Sequence, residues 1–101
     1  MGLTTDVHDG CLHEELPNGQ MKCYLVLDDG RRKDLLRPVR RKYIHSVCGA
    51  VTIMNQKIAE TYAADPSFYG ATFCSTCGSH FPVGENGQFV WDDGSGEKVG
   101  T

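Results

Sequence analysis

The residues best suited to chemistry stand in two short stretches, IHSVCGAV at residues 44–51 and TFCSTCGSHFPV at residues 72–83. In each, a potential metal ligand precedes by three residues a Cys that is followed at once by Gly: His45 before Cys48-Gly49, and Cys74 before Cys77-Gly78. In such a turn the backbone folds back, the two side chains converge and amides after the first ligand can donate to its sulfur. Gly supplies the positive φ of the curl. One turn offers half of a tetrahedral shell, and Zn2+ takes four donors of this kind, thiolate sulfur and imidazole nitrogen. The two turns together predict one structural zinc site made of His45, Cys48, Cys74 and Cys77. His80, three residues after Cys77, is the alternative fourth ligand. The symmetry of two Gly-containing turns favours His45, and either choice gives a Cys3His set that leaves no position for an activated water or a substrate.

Other chemistries fit the same residues less well. A thioredoxin-type redox pair would open a helix, whereas Cys77 runs into GSHFPVG, which is not helix-forming. An iron–sulfur cluster would ask for four thiolates. A zinc deaminase would need a Glu two residues after its first ligand and a Pro before the Cys pair, and neither is present. If both histidines were free of the metal, the site would be open and a zinc-dependent hydrolase would return as a reading. No Gly-rich phosphate loop or serine elbow occurs, and no residue is assigned a catalytic role. His8, Cys11, His13 and Cys23 form a second possible ligand set, but an irregular tail collects such residues by chance, and Cys23 suits a small buried position in an apolar strand.

The bulk properties frame these sites. A chain of 101 residues is expected to be one domain with a small core, for which a metal is a natural staple. Five cysteines cannot all pair, and the absence of a secretory pattern predicts a cytoplasmic chain in which thiols stay reduced and ligate metal. No apolar stretch is long enough to span a membrane, and Asp6 stands where a myristoylation pattern needs Ser or Thr. The net charge of −3 hides a segregation. In RRKDLLRPVRRK, residues 31–42, the cations Arg31, Arg32, Lys33, Arg37, Arg40, Arg41 and Lys42 face only Asp34, so this strip carries +6 and the rest of the chain −9. Such a strip can meet phosphates or an acidic partner even though the pI of 5.7 argues against a general nucleic-acid coat.

The elements that must position the ligands are legible in outline. Residues 1–17 lack periodicity and read as an irregular lead-in. Asn18-Gly19 signals a turn, QMKCYLVL a strand, and RPVRRKYIHSV a second extended run. An exposed QMKCYLVL edge would be a route to a homodimer. Met54, Ile58 and Tyr62 lie four apart, with Ile53 and Thr61 beside them, and predict one central helix over about residues 52–65, capped by Thr52 and stopped at Asp65-Pro66. SFYGATFC reads as a strand into the second turn. FPVGENGQFVW reads as a hairpin about Glu85-Asn86-Gly87, and DDGSGEKVGT as closing turns. The fold class expected is therefore α+β, with antiparallel hairpins around one helix and the metal-binding core at residues 43–92.

Over residues 43–92 the chain resembles the zinc-ribbon class, in which two metal-binding knuckles face each other. It departs from that class by a His in one Cys position and by a helix between the knuckles. The blocks IAETYAADPSFYGATFC, CSTCGSHFPV and FVW also make it similar to small uncharacterised proteins associated with bacteria and their phages. That resemblance implies a setting, a phage accessory protein acting on a host macromolecule in the host cytoplasm. The leading expectation is a non-catalytic, zinc-stabilised interaction module that binds a host or phage protein. Its alternative is a zinc ribbon that binds nucleic acid through the strip at 31–42, with binding that weakens steeply with salt.

Overall fold

A computed structural model describes residues 2–101. The strands are β1 Gly2–Thr4, β2 Cys23–Leu25, β3 Lys42–His45, β4 Val51–Ile53, β5 Ala71–Cys74, β6 Ser79–Pro82 and β7 Phe89–Trp91, with one helix, α1, at Gln56–Ala64. They form a β4-β3-β7 antiparallel sheet, a β5-β6 hairpin and a parallel β1-β2 pair, so the architecture is α+β. Among the described residues no helix is long and apolar enough to cross a membrane.

The helix begins one turn later than its periodicity suggests. The chain reverses directly after the first Cys-Gly turn, so Thr52 pairs with Tyr43 in β4 instead of capping α1. Asn55 takes that role, its side chain accepting from the Lys57 amide at 2.8 Å. Asp65-Pro66 ends the helix as expected, and the Ala63 carbonyl is met by the amides of Leu36 and Arg37 at 2.8 and 3.0 Å. Ile58, Ala59, Thr61, Tyr62 and Ala63 form the buried face, with Met54 just ahead of it, whereas Ile53 points to solvent. Thr61 is buried without cost because its hydroxyl donates to the Lys57 carbonyl and accepts from the Leu27 amide. The core closes over Val26, Tyr43, Phe89, Trp91 and Val99, and Cys74 belongs to it.

Three segments depart from the expectations. The lead-in is ordered: β1 runs parallel to β2, and a 3-10 turn at Gly10–His13 is capped by the Asp9 side chain. Strands of three residues and a single turn are too short to leave a periodic signal. Cys11 and Cys23 are joined as a disulfide, which corrects the expectation that all five thiols remain free. The turn and the β1-β2 pair hold their Cα atoms 5.4 Å apart, within the range a disulfide bridges. Finally, FPV and FVW do not pair with each other. β6 returns on β5, and β7 crosses to β3, leaving only Gln88 N–H on the Pro82 carbonyl between them. The closing segment then folds along β7, where Trp91 N–H reaches the Glu97 carbonyl and Val99 N–H the Phe89 carbonyl, burying Val99.

Candidate metal centre

The β3–β4 reversal forms the first knuckle and the β5–β6 reversal the second. Each is closed by the same local bond: Gly49 N–H to the His45 carbonyl at 2.6 Å, and Gly78 N–H to the Cys74 carbonyl at 2.8 Å. Both glycines have φ near +70°, at 75° and 67°, the left-handed conformation that the curl requires. β3 carries His45 and β5 carries Cys74 into the core, while Cys48 and Cys77 sit at the exposed knuckle tips.

These four residues bring their ligand atoms together, all within 4.8 Å of one another. Cys48 Sγ lies 3.3 Å from His45 Nδ1 and 3.6 Å from Cys74 Sγ, and Cys77 Sγ lies 3.6 Å from His45 Nδ1. A zinc ion with Zn–S near 2.3 Å and Zn–N near 2.0 Å has tetrahedral edges of about 3.8 Å between sulfurs and about 3.5 Å between sulfur and nitrogen. The three separations of 3.3–3.6 Å are close to these edges. The cluster can hold a metal ion.

The histidine is oriented for the task. The residue is 1% exposed, and its ring packs against Phe81 and Phe89 with centroids 4.5 and 4.8 Å away. Nε2 lies 2.8 Å from Gln88 Oε1. An amide oxygen accepts, so the proton belongs on Nε2 and the lone pair on Nδ1 faces the sulfurs. Gln88 is a functional residue that the sequence reading missed, since nothing in GENGQFVW singles it out before β7 is placed beside β3.

The sulfurs alone form an uneasy set. Burial pushes the Cys74 thiol up, but the Cys77 amide, the Cys48 and Cys77 thiols and the Thr76 amide outweigh it and bring it down to about 7. Cys77 moves the other way, to about 11, through desolvation and the two neighbouring sulfurs. One negative charge is welcome here and further ones are not, which is the electrostatic need that a dication meets.

His80, the alternative ligand, stands outside the group: its Nε2 lies 2.9 Å from the Tyr24 hydroxyl. The Asn18-Gly19 turn packs on the second knuckle, and a Cβ at Gly19 would come within 2.1 Å of the Gly78 carbonyl oxygen. The turn that follows the lead-in is therefore packed against the centre.

The basic strip divides. Arg32 and Arg40 are 10% exposed at their side chains. Arg32 is held by Glu60, Asp29 and the Leu27 carbonyl. Arg40 lies over Trp91, 4.8 Å from the ring centroid, and pairs with Asp93 and Glu97. Arg41 donates to the Met54 carbonyl. Arg31, Lys33, Arg37 and Lys42 face solvent. Of the second ligand set, Cys11 and Cys23 meet in the disulfide with Asp9 beside them, and His8 and His13 lie outside that group.

Comparison with family models, with curated proteins and with solved structures finds no match to this chain.

Proposed function

We propose that the chain is a zinc-ribbon-like interaction module in which one structural Zn2+ staples two knuckles and the surrounding surface docks a protein partner. The observation that carries this reading is the four-donor set: His45 and three cysteines with their ligand atoms all within 4.8 Å, three of the separations at 3.3–3.6 Å, close to tetrahedral edges. Four protein donors fill the shell of a zinc ion, so the metal holds structure and performs no chemistry on a substrate. Thiolate with imidazole also suits zinc better than the harder cations.

The docking surface has its centre beside the first knuckle, where Val47, Val51 and Ile53 are all exposed, Val47 by 73%. Val51 and Ile53 share one face of the edge strand β4. An apolar edge of this kind suits a protein better than a nucleic acid, and the strip at 31–42 has three of its seven cations committed internally. A host protein met by a phage accessory factor is the partner class in keeping with the sequence resemblance.

The test is elemental analysis of the purified chain beside His45→Ala and His80→Ala. One zinc per chain, lost with His45→Ala and kept with His80→Ala, is the expected result. Zinc retained in both variants would overturn the closed site and bring back the hydrolase reading.

A further inference from the structure

A second group of ligand atoms lies apart from the knuckles, in the N-terminal lead-in. A carboxylate oxygen of Asp9 and the sulfurs of Cys11 and Cys23 all lie within 4.8 Å of one another. We propose that the Cys11–Cys23 bond is the oxidised form of a reduction-gated metal site, in which Asp9, Cys11 and Cys23 bind a divalent cation of zinc type.

The scaffold for such a site is in place. Asp9 Oδ1 accepts from the Cys11 amide at 3.1 Å, which aims the carboxylate at the turn and leaves its other oxygen free. Cys23 is 4% exposed, and its backbone is held in β2 opposite Gly2. Lys22, the cation next to it in the chain, is paired with Glu14 at 3.2 Å. Disulfide sulfurs stand about 2.0 Å apart, and thiolates on one zinc about 3.8 Å. Rotation about the two Cα–Cβ bonds covers that difference while the backbone stays where it is.

The exchange balances. Reduction adds two electrons and two protons and breaks the S–S bond. A phosphine reductant supplies the electrons and leaves as phosphine oxide, its oxygen coming from water. Metal binding displaces both thiol protons, forming two sulfur–metal bonds and one carboxylate–metal bond. Three protein donors leave a fourth corner to water, unlike the closed set at the knuckles. Reoxidation by a disulfide oxidant runs the sequence backwards and ejects the metal. Disulfide and metal therefore exclude each other at this site.

The experiment uses the full chain in two forms, one with the disulfide intact, verified by three free thiols, and one reduced by phosphine. Each is titrated anaerobically with Co2+, following the thiolate-to-cobalt charge-transfer band. The expected result is one equivalent for the oxidised chain and two for the reduced chain. Cys11→Ser, which cannot form the disulfide, should take up one equivalent with or without the reductant. If that variant does not fold, Asp9→Asn keeps both sulfurs and the disulfide, and it should still lose the second equivalent after reduction. A reduced chain that takes up only one equivalent would overturn the proposal, as would a second equivalent that persists in Cys11→Ser. Failure of the knuckle site is read separately, because it removes the equivalent that does not depend on the reductant.

Discussion

Two regions bring cysteines together in this molecule, a pair of knuckle turns and a 3-10 turn set against strand β2, and their sulfurs end in different arrangements. At the knuckles, four ligand atoms converge from β3, β5 and the tips that follow them, all within 4.8 Å of one another and three of their separations at 3.3–3.6 Å. Between the lead-in and β2, Cys11 and Cys23 are bonded to each other, with Asp9 as the one further ligand beside them among the described residues. The difference lies in what surrounds the sulfurs. The first centre has a buried imidazole whose outer nitrogen is satisfied by Gln88, so its inner nitrogen has no use except toward the sulfurs. The second has no such fourth donor. Two cysteines that meet with one carboxylate beside them can close on each other, whereas three with a buried imidazole among them form a four-donor set.

The largest test of this contrast is metal removal. Binding free energies of about 10–16 kcal/mol are typical of structural zinc in small domains. Chelation, or Cys74→Ser, is therefore expected to abolish cooperative thermal unfolding followed by circular dichroism, since Cys74 also belongs to the core. Survival of a sharp transition after chelation would place the stability in the apolar core instead. Reducing Cys11–Cys23 in the metal-loaded chain should cost less, about 3 kcal/mol for a loop of this length, seen as a shift of the denaturant midpoint.

A smaller change connects the two regions. Gly19→Ala would drive a methyl group into the Gly78 carbonyl, and overpacking of this kind costs about 1–3 kcal/mol. The variant should hold zinc less tightly in a competition with a chelator, whereas an unchanged affinity would separate the lead-in from the centre. Gln88→Ala should weaken zinc binding by about 10–100-fold without removing any ligand, because the imidazole loses the contact that sets its proton. The smallest effect belongs to Asp93, which is in neither ligand group. Hydrogen bonds from Ser95, and then Arg40, hold the Asp93 carboxyl down to about 2. Its stabilising contribution is present above the ordinary carboxylate range and is lost as pH falls toward 2. Asp93→Asn should remove that acid-side slope and leave metal content untouched.

The legible parts of the molecule are those whose cause is local. The knuckle spacing, the glycine at each curl and the amphipathic helix are set by neighbours three or four residues apart; the curls are found where their pattern places them, and the helix within its predicted span, one turn late at its start. The misplaced parts depend on distant segments. Thr52 would have been an adequate cap had β4 not been drawn onto β3, and FVW would have closed a hairpin had β7 not found the other edge of that strand. Arg32 and Arg40 read as free cations until Glu60, Asp93 and Glu97 are seen beside them.

By itself, then, the chain of residues determined that two ligand-bearing turns exist and that their donors suit a tetrahedral metal, because backbone reversal and ligand spacing are short-range properties. Only the tertiary structure decided which histidine stands with the three sulfurs, that Gln88 orients it, and that Cys11 meets Cys23. Those outcomes are long-range pairings, chosen by which surfaces bury one another when β3 receives a strand on each edge and β1 settles beside β2.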